Sequence, residues 1–130
     1  MTAKTAALVI GIIFIAVGIL GFINNPIVYD SETAIFHADT VHNAVHLVSG
    51  VLFVLVAFAS PGTTKGFMIV FGIVYLLIGV LGLTSFGTSG MGKVFGFLHV
   101  NGNDNILHVA LGVVILLAGL VSRRNVVATV

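Results

Sequence analysis

Five histidines carry most of the chemical capacity of this chain, and four of them occupy matching places in a repeated pattern. The pattern H-x5-N-x2-H-x3-G spans residues 37–50 and returns at residues 99–112. The remaining histidine, His42, aligns with Asp104 in the second copy. Imidazole is the commonest metal-binding side chain, and its nitrogens also form hydrogen bonds with other polar groups. The repeat therefore predicts either a ligand site or a paired set of buried hydrogen bonds.

The ligand-site hypothesis has two forms. His46 and His108 on facing helices would suit the axial positions of a b-type haem, with Gly50 and Gly112 leaving room against the backbone. A zinc or copper site near the surface would instead draw on six residues: His37, His42, His46, His99, His108 and Asp104. In either form, Asn43 and Asn105 would orient the imidazoles from behind. The chain has no cysteine, which excludes thiolate metal sites and iron–sulfur clusters.

The competing hypothesis is structural. In it, Asn43 bonds His108 and Asn105 bonds His46, so that two reciprocal pairs join the halves of the protein. Each such pair between membrane helices would contribute about 0.6 to 2 kcal/mol. Both hypotheses predict that His46 and His108 are buried near one end of a helix bundle and lie close together.

The composition is that of an integral membrane protein. Of the 130 residues, 58% are hydrophobic and 7% are charged, and the mean hydropathy is +1.23. A soluble globule of this size needs more polar surface than these residues can supply, so a lipid bilayer is the expected environment. A net charge of +1 without a basic run gives no electrostatic basis for binding nucleic acid.

Four apolar runs predict four transmembrane helices, near residues 5–23, 40–60, 64–84 and 103–122, in one domain over residues 1–130. At 1.5 Å per residue, runs of about 20 residues cross a hydrocarbon core of about 30 Å. Asp39 is the predicted N-cap of the second helix, and Pro61 and Gly62 are predicted to end it. The first run follows Lys4 as in a signal peptide, but no A-x-A pattern follows it, so we expect it to be retained.

The charged residues divide between the two predicted faces of the membrane. Lys4, Lys65, Arg123 and Arg124 fall on one side, whereas all four acids and all five histidines fall on the other, with Lys93. The basic side of a membrane protein is usually cytoplasmic. Both termini are therefore predicted to be cytoplasmic, with the histidines on the opposite face.

The repeat extends to the first and third helices at an offset of 61 residues, where Lys4 matches Lys65 and Phe14 matches Tyr75. We therefore predict an all-α, four-transmembrane-helix bundle. It would consist of two duplicated helical hairpins, residues 2–60 and 63–122, related by a pseudo-two-fold along the membrane normal. Matched glycines predict close helix packing: Gly11, Gly18, Gly21, Gly50, Gly72, Gly79, Gly82 and Gly112. Gly50 and Gly112 are also predicted to leave packing surfaces for a further protein or pigment.

Two stretches, residues 43–50 and 103–112, each contain the motif N-x-x-H-x-x-x-G. In them, and over nearly its whole length, the chain resembles an uncharacterised bacterial family of small four-helix integral membrane proteins, classed as a domain of unknown function. The resemblance implies a single four-span domain in a bacterial inner membrane. It implies no activity, cofactor or catalytic residue.

The sequence favours a non-enzymatic protein. It contains no Ser-His-Asp order, no phosphate-binding glycine loop and no closely spaced carboxylate pair. The predicted role is that of an accessory or self-associating subunit of a membrane assembly. The alternative is a ligand-binding module that holds haem or a transition metal through paired histidines.

Overall fold

The computed structural model describes residues 1–123, which form four helices: α1 (Ala3–Leu20), α2 (Thr40–Val56), α3 (Pro61–Phe86) and α4 (Gly102–Val121). The helix α1 packs along α2, and α3 packs along α4, whereas the contacts between these two hairpins are sparser. Arg124, which contributed to the predicted orientation, lies outside the described residues. The described chain is therefore mostly helical, as predicted.

The helix ends depart from the predicted ones by a few residues. The largest difference is in α2, which ends at Val56 rather than near Ser60. Ser60 is instead the N-cap of α3, where its hydroxyl accepts a hydrogen bond from the Thr63 amide, and Pro61 is the first helical residue. Proline at this position lacks only an N–H that a helix start would leave unbonded anyway. Pro61 therefore begins α3 rather than ending α2.

Polar side chains fix the first turns of α2 and α4. The Asp39 carboxylate accepts a hydrogen bond from the His42 amide, as predicted for an N-cap. At the corresponding place in the second half, Asn101 accepts from the Asp104 amide, and Asp104 accepts from the Asn101 amide in return. The helices that carry the histidines thus start at defined positions.

The connections at this end contain short strands that the sequence did not predict. In the first connection, β1 (Val28–Tyr29) pairs in parallel with β2 (Phe36–His37). In the second, β3 (Met91–Val94) pairs antiparallel with β4 (Leu98–Asn101). His37 and His99 therefore lie on paired strands, which restrict their positions more than open loops would.

Charged groups lie at opposite ends of the helices. At one end, the Lys65 ammonium donates to the carbonyl oxygens of Leu120 and Ser122, and Lys4 lies 4.6 Å from the centre of the Phe58 ring. Asp39 and Asp104 lie in the first turns of α2 and α4, at the end that carries the histidines. We call these the basic end and the histidine end.

Three of the four helices are long and apolar enough to cross a membrane: Ala3–Leu20, Pro61–Phe86 and Gly102–Val121. The fourth, α2, is apolar but has 17 residues. At 1.5 Å per residue it is about 26 Å long, slightly less than a typical hydrocarbon core. These helices fit an integral membrane protein.

Glycines lie where the helices of each hairpin approach most closely. A Cβ atom built on Gly11 would lie 2.9 Å from the carbonyl oxygen of Gly50, and one on Gly50 would lie 2.7 Å from that of Gly11. In the second hairpin, a Cβ on Gly79 would lie 2.5 Å from the Val109 amide nitrogen. The same holds for the other predicted packing glycines: Gly18, Gly21, Gly72, Gly82 and Gly112. Gly50 and Gly112 thus pack within the chain, and the prediction that they offer a surface to a partner is wrong.

Candidate metal centre

Three histidines converge between the helices near the histidine end. His42 and His46 come from successive turns of α2, and His108 comes from α4. One potential ligand atom from each lies within 4.8 Å of the other two. The three side chains are buried, with exposed fractions of 2%, 7% and 3%. The structure thus brings together His46 and His108, as the repeat predicted, and adds His42 between them.

The orientation of His42 is fixed by the other half of the protein. Its Nδ1 lies 2.8 Å from the backbone carbonyl oxygen of His99, so Nδ1 carries the proton and donates it there. The lone pair of a neutral imidazole is then on Nε2. A histidine that ligates a metal usually donates its other ring N–H to a carbonyl or carboxylate in this way. His42 therefore has the hydrogen bond expected of a metal ligand.

His46 and His108 are buried without a comparable partner. The Nδ1 atom of each has no hydrogen bond among the described residues. Their rings contact the edges of aromatic side chains instead, His46 at Phe14 and His108 at Tyr75, each with ring centres 5.6 Å apart. A buried imidazole nitrogen without a partner costs about 1 to 3 kcal/mol. An ion bound at these Nδ1 atoms would accept their lone pairs and reduce this cost.

The predicted bonds between asparagines and histidines are wrong. The Asn43 amide donates to the carbonyl oxygens of Gly21 and Ala38, at 2.9 and 3.1 Å. The Asn105 amide donates to the Gly87 carbonyl at 3.3 Å. Glycine allows each asparagine to approach the neighbouring helix, and the exposed carbonyls at a helix end are the nearest acceptors. Asn43 and Asn105 therefore hold helix ends together and do not orient the imidazoles.

A second cluster lies in the connections above the first. His37 and His99 lie with ring centres 3.9 Å apart and ring planes inclined at 34°. The Nε2 atom of His37 lies 2.9 Å from Oδ1 of Asp30, and ligand atoms of Asp30, His37 and His99 lie within 4.8 Å of one another. The sequence predicted the two histidines at this place but not Asp30. Only the parallel pairing of β1 and β2, which tertiary structure sets, brings that carboxylate to them.

The surroundings of His99 favour its neutral form. Partial burial lowers the pKa of His99 below the ordinary value of 6.5, and the neighbouring His37 acts in the same direction. Asp39 and Asp30 raise it, and Lys93 lowers it, but burial is the largest influence. At neutral pH the imidazole of His99 therefore has a free lone pair.

Asp104 joins the first connection to α4. Its Oδ2 accepts hydrogen bonds from the backbone amides of His37 and Asn101, at 3.0 and 2.8 Å, and the residue is 3% exposed. Asn101 and Asn103 each also donate a side-chain hydrogen bond to the Ile35 carbonyl. The Asp104 side chain thus positions the two clusters relative to each other. It belongs to neither group of potential metal ligands.

An apolar cavity of about 220 Å³ lies beside the buried cluster, between α1 and α4. His46, His108 and Asp104 contribute its polar lining, and apolar residues such as Val17 and Leu107 form most of the rest. The cavity is smaller than the roughly 300–1,000 Å³ of pockets that hold drug-sized ligands. It is well below what a porphyrin requires.

The three imidazoles also leave no slot for a haem. The ring centres of His46 and His108 are 6.3 Å apart, so the obstacle to a porphyrin between them is the third imidazole and not their separation. His42 lies beside both, with its ring centre 4.5 Å from that of His46 and 5.3 Å from that of His108. It occupies space that the macrocycle would need. The geometry fits a single metal ion and does not fit bis-histidine haem.

The equivalent space on the other side of the bundle is filled. Between α2 and α3, the side chains of Val94, Leu98 and Val100 from the β3–β4 hairpin form an apolar cluster against Val45 and Ile78. In the repeat, Val45 matches Leu107 and Ile78 matches Val17, which line the open cavity. We call the cluster of Val94, Leu98 and Val100 the plug. The same helix positions therefore face the plug between α2 and α3 and the open cavity between α1 and α4.

Comparison with known proteins identifies the family. Residues 4–121 match the family described as "Domain of unknown function (DUF4383)". The chain belongs to this family. The match covers all four helices and both clusters, and it confirms the resemblance noted from the two asparagine–histidine stretches. No curated protein and no solved structure matches the chain at a significant level.

Proposed function

We propose that this protein is a four-span membrane protein that binds one divalent transition-metal ion, zinc or copper, through His42, His46 and His108. The single observation that carries the proposal is the convergence of three buried imidazoles, two of them with an unpartnered buried nitrogen. Zinc and copper both favour imidazole ligands, and three histidines are enough protein ligands to hold zinc. Asp104 also lines the adjoining cavity.

A binding role is favoured over a catalytic one. The cavity next to the three histidines is lined almost entirely by apolar groups. Asp104, the one carboxyl in that lining, already accepts two backbone hydrogen bonds. A carboxyl that acts as a general acid or base must be free to exchange a proton with a substrate. We therefore propose that the protein stores, senses or passes on a metal ion and does not catalyse a reaction.

We further propose that the bundle arose by duplication of one helical hairpin and is related by a pseudo-two-fold along the membrane normal. Matched residues make matched contacts in both halves: Phe14 with His46 and Tyr75 with His108, each at 5.6 Å. The rings of Phe14 and Tyr75 also contact each other, with centres 5.1 Å apart. This pattern is what a two-fold axis between the hairpins would produce.

We expect the purified protein, stripped by a chelator and titrated with Zn²⁺ in detergent, to bind one ion tightly in the buried cluster. His46→Ala and His108→Ala should each abolish this binding, because two remaining imidazoles do not complete a site. Tyr75→Phe, which keeps the ring against His108, is the matched control and should bind normally. Calorimetry and elemental analysis measure the binding. A metal-free protein that never binds Zn²⁺ or Cu²⁺ would overturn the proposal and leave the accessory-subunit role.

The proposed topology places the histidine end outside the cytoplasm of a bacterial inner membrane, with the basic end inside. The chain has no cysteine, so single cysteines introduced at exposed positions report on each end without background. A membrane-impermeant maleimide added to intact cells should label Glu32→Cys at the histidine end and should not label Thr63→Cys at the basic end. The reverse pattern would show that the orientation inferred from charge is inverted.

A further inference from the structure

We infer that Asp30, His37 and His99 form a second metal site, which captures divalent ions at the surface and supplies them to the buried cluster. The existence of this site is independent of the proposed function. The supply of ions to the buried cluster rests on the proposed function, because it requires that cluster to bind metal.

The geometry of this cluster is that of a partly formed ligand set. Potential ligand atoms of the three residues lie within 4.8 Å of one another, and Asp30 already lies 2.9 Å from His37. The His37 side chain is 4% exposed, and its Nδ1 is buried without a hydrogen-bond partner among the described residues. A salt bridge between His37 and Asp30 alone would not require the ring of His99 to lie 3.9 Å away. Two imidazoles and one carboxylate match the ligand preferences of zinc and copper.

The cluster spans the boundary between solvent and the protein interior. The Asp30 side chain is 58% exposed, whereas that of His37 is almost fully buried. Asp39 lies close enough to influence His99 and adds negative charge, and Lys93, the residue paired with His99 across the β3–β4 hairpin, opposes it. A hydrated cation can therefore approach the exposed carboxylate first and exchange its water for imidazole afterwards.

The two clusters are joined through a single residue. The carbonyl oxygen of His99 accepts the Nδ1 proton of His42, while the side chain of His99 belongs to the surface cluster. An ion bound by the ring of His99 is thus held by a residue that also orients a ligand of the buried site. Among the described residues, the apolar cavity between α1 and α4 also reaches the buried cluster, but transfer of a bare ion through apolar surroundings is very costly. The inferred supply of ions therefore runs through the polar surface cluster.

Titration of the stripped protein with Co²⁺, followed by its visible absorbance, should reveal two equivalents with different affinities. Asp30→Asn and His99→Ala should weaken the second equivalent by about tenfold or more and leave the first unchanged. His99→Ala keeps the backbone carbonyl that His42 requires, so loss of the surface site is not confused with loss of the buried one. Glu32→Gln, an exposed acid in the same connection, is the matched control and should bind both equivalents.

The supply of ions is tested separately by stopped-flow mixing at low Co²⁺ concentration. In His99→Ala and Asp30→Asn, the buried site should fill about tenfold more slowly, because the surface cluster no longer raises the local ion concentration, yet it should reach the same final occupancy. Two equivalents with unchanged filling rates would overturn the supply role alone. One equivalent, unaffected by His99→Ala, would overturn the surface site. A surface equivalent that remains when no buried binding is found would overturn the function proposed for the buried cluster, not this site.

Discussion

Gly82→Ala should lower the free energy of unfolding by about 2 to 6 kcal/mol. A Cβ atom at this position would overlap the Asn105 side chain, whose amide holds the Gly87 carbonyl at the end of α3. Overpacking of a close interface costs about 1 to 3 kcal/mol, and displacing a buried amide from its hydrogen bond adds a similar amount. Denaturation of the protein in detergent, followed by circular dichroism, measures the change.

Gly66 provides the control for this substitution because it lies in the same helix. A Cβ atom on Gly66 would meet no atom within 4 Å. Gly66→Ala should therefore leave stability unchanged or raise it by up to about 1 kcal/mol through helix propensity. In the first hairpin, a Cβ on Gly21 would overlap Asn43, so Gly21→Ala should resemble Gly82→Ala. Equal effects of the substitutions at Gly66 and Gly82 would contradict the packing described for Asn105.

Asp104→Ala should have a comparable effect, about 3 to 5 kcal/mol of stability. The substitution removes the acceptor for the backbone amides of His37 and Asn101 and leaves both donors without their partner. Each orphaned buried donor costs about 1 to 3 kcal/mol, and removing one member of a buried network is more costly than its pairwise bonds suggest. The variant should also lose the fixed position of His37 relative to α4. Metal binding by the surface cluster should weaken as a consequence.

Asp39→Ala is the comparison for Asp104→Ala. The Asp39 side chain also accepts a backbone hydrogen bond in the first turn of a helix, but within residues 1–123 it accepts just the one from His42, and Asp39 is partly exposed. Losing an N-cap of this kind typically costs about 1 kcal/mol. The difference in free energy of unfolding between Asp104→Ala and Asp39→Ala measures what the hydrogen bond from the His37 amide to Asp104 contributes. Similar losses in both would mean that this link contributes little.

Much of this arrangement could be predicted from the sequence because it depends on local patterns. Apolar runs of about 20 residues indicate helices, Asp39 indicates a helix start, and the spacing of His46 and His108 within a repeat indicates that they face each other. Helix periodicity carries this information over a few turns. It also places His42 one turn from His46, on the same face of α2.

The remaining features depend on contacts between distant segments. Asp30 joins His37 only because two-residue strands pair in parallel, and a two-residue strand leaves no periodic signal. The acceptors of Asn43 and Asn105 are backbone carbonyls at helix ends, which any residue supplies equally well. The separation of the five histidines into two clusters, with Asp104 outside both, likewise follows from the fold of the connections.

The plug formed by Val94, Leu98 and Val100 makes the two flanks of the bundle different from each other in the plane of the membrane. A bundle made of two copies of the α3–α4 half would have a plug on both flanks, and a bundle made of two copies of the α1–α2 half would have a plug on neither. This chain contains one half of each kind. Among the described residues, the cavity on the α1–α4 flank is where lipid chains can reach toward His46 and His108. A neighbouring membrane protein that covered that flank would isolate the histidines from the bilayer, whereas one on the opposite flank would contact the plug.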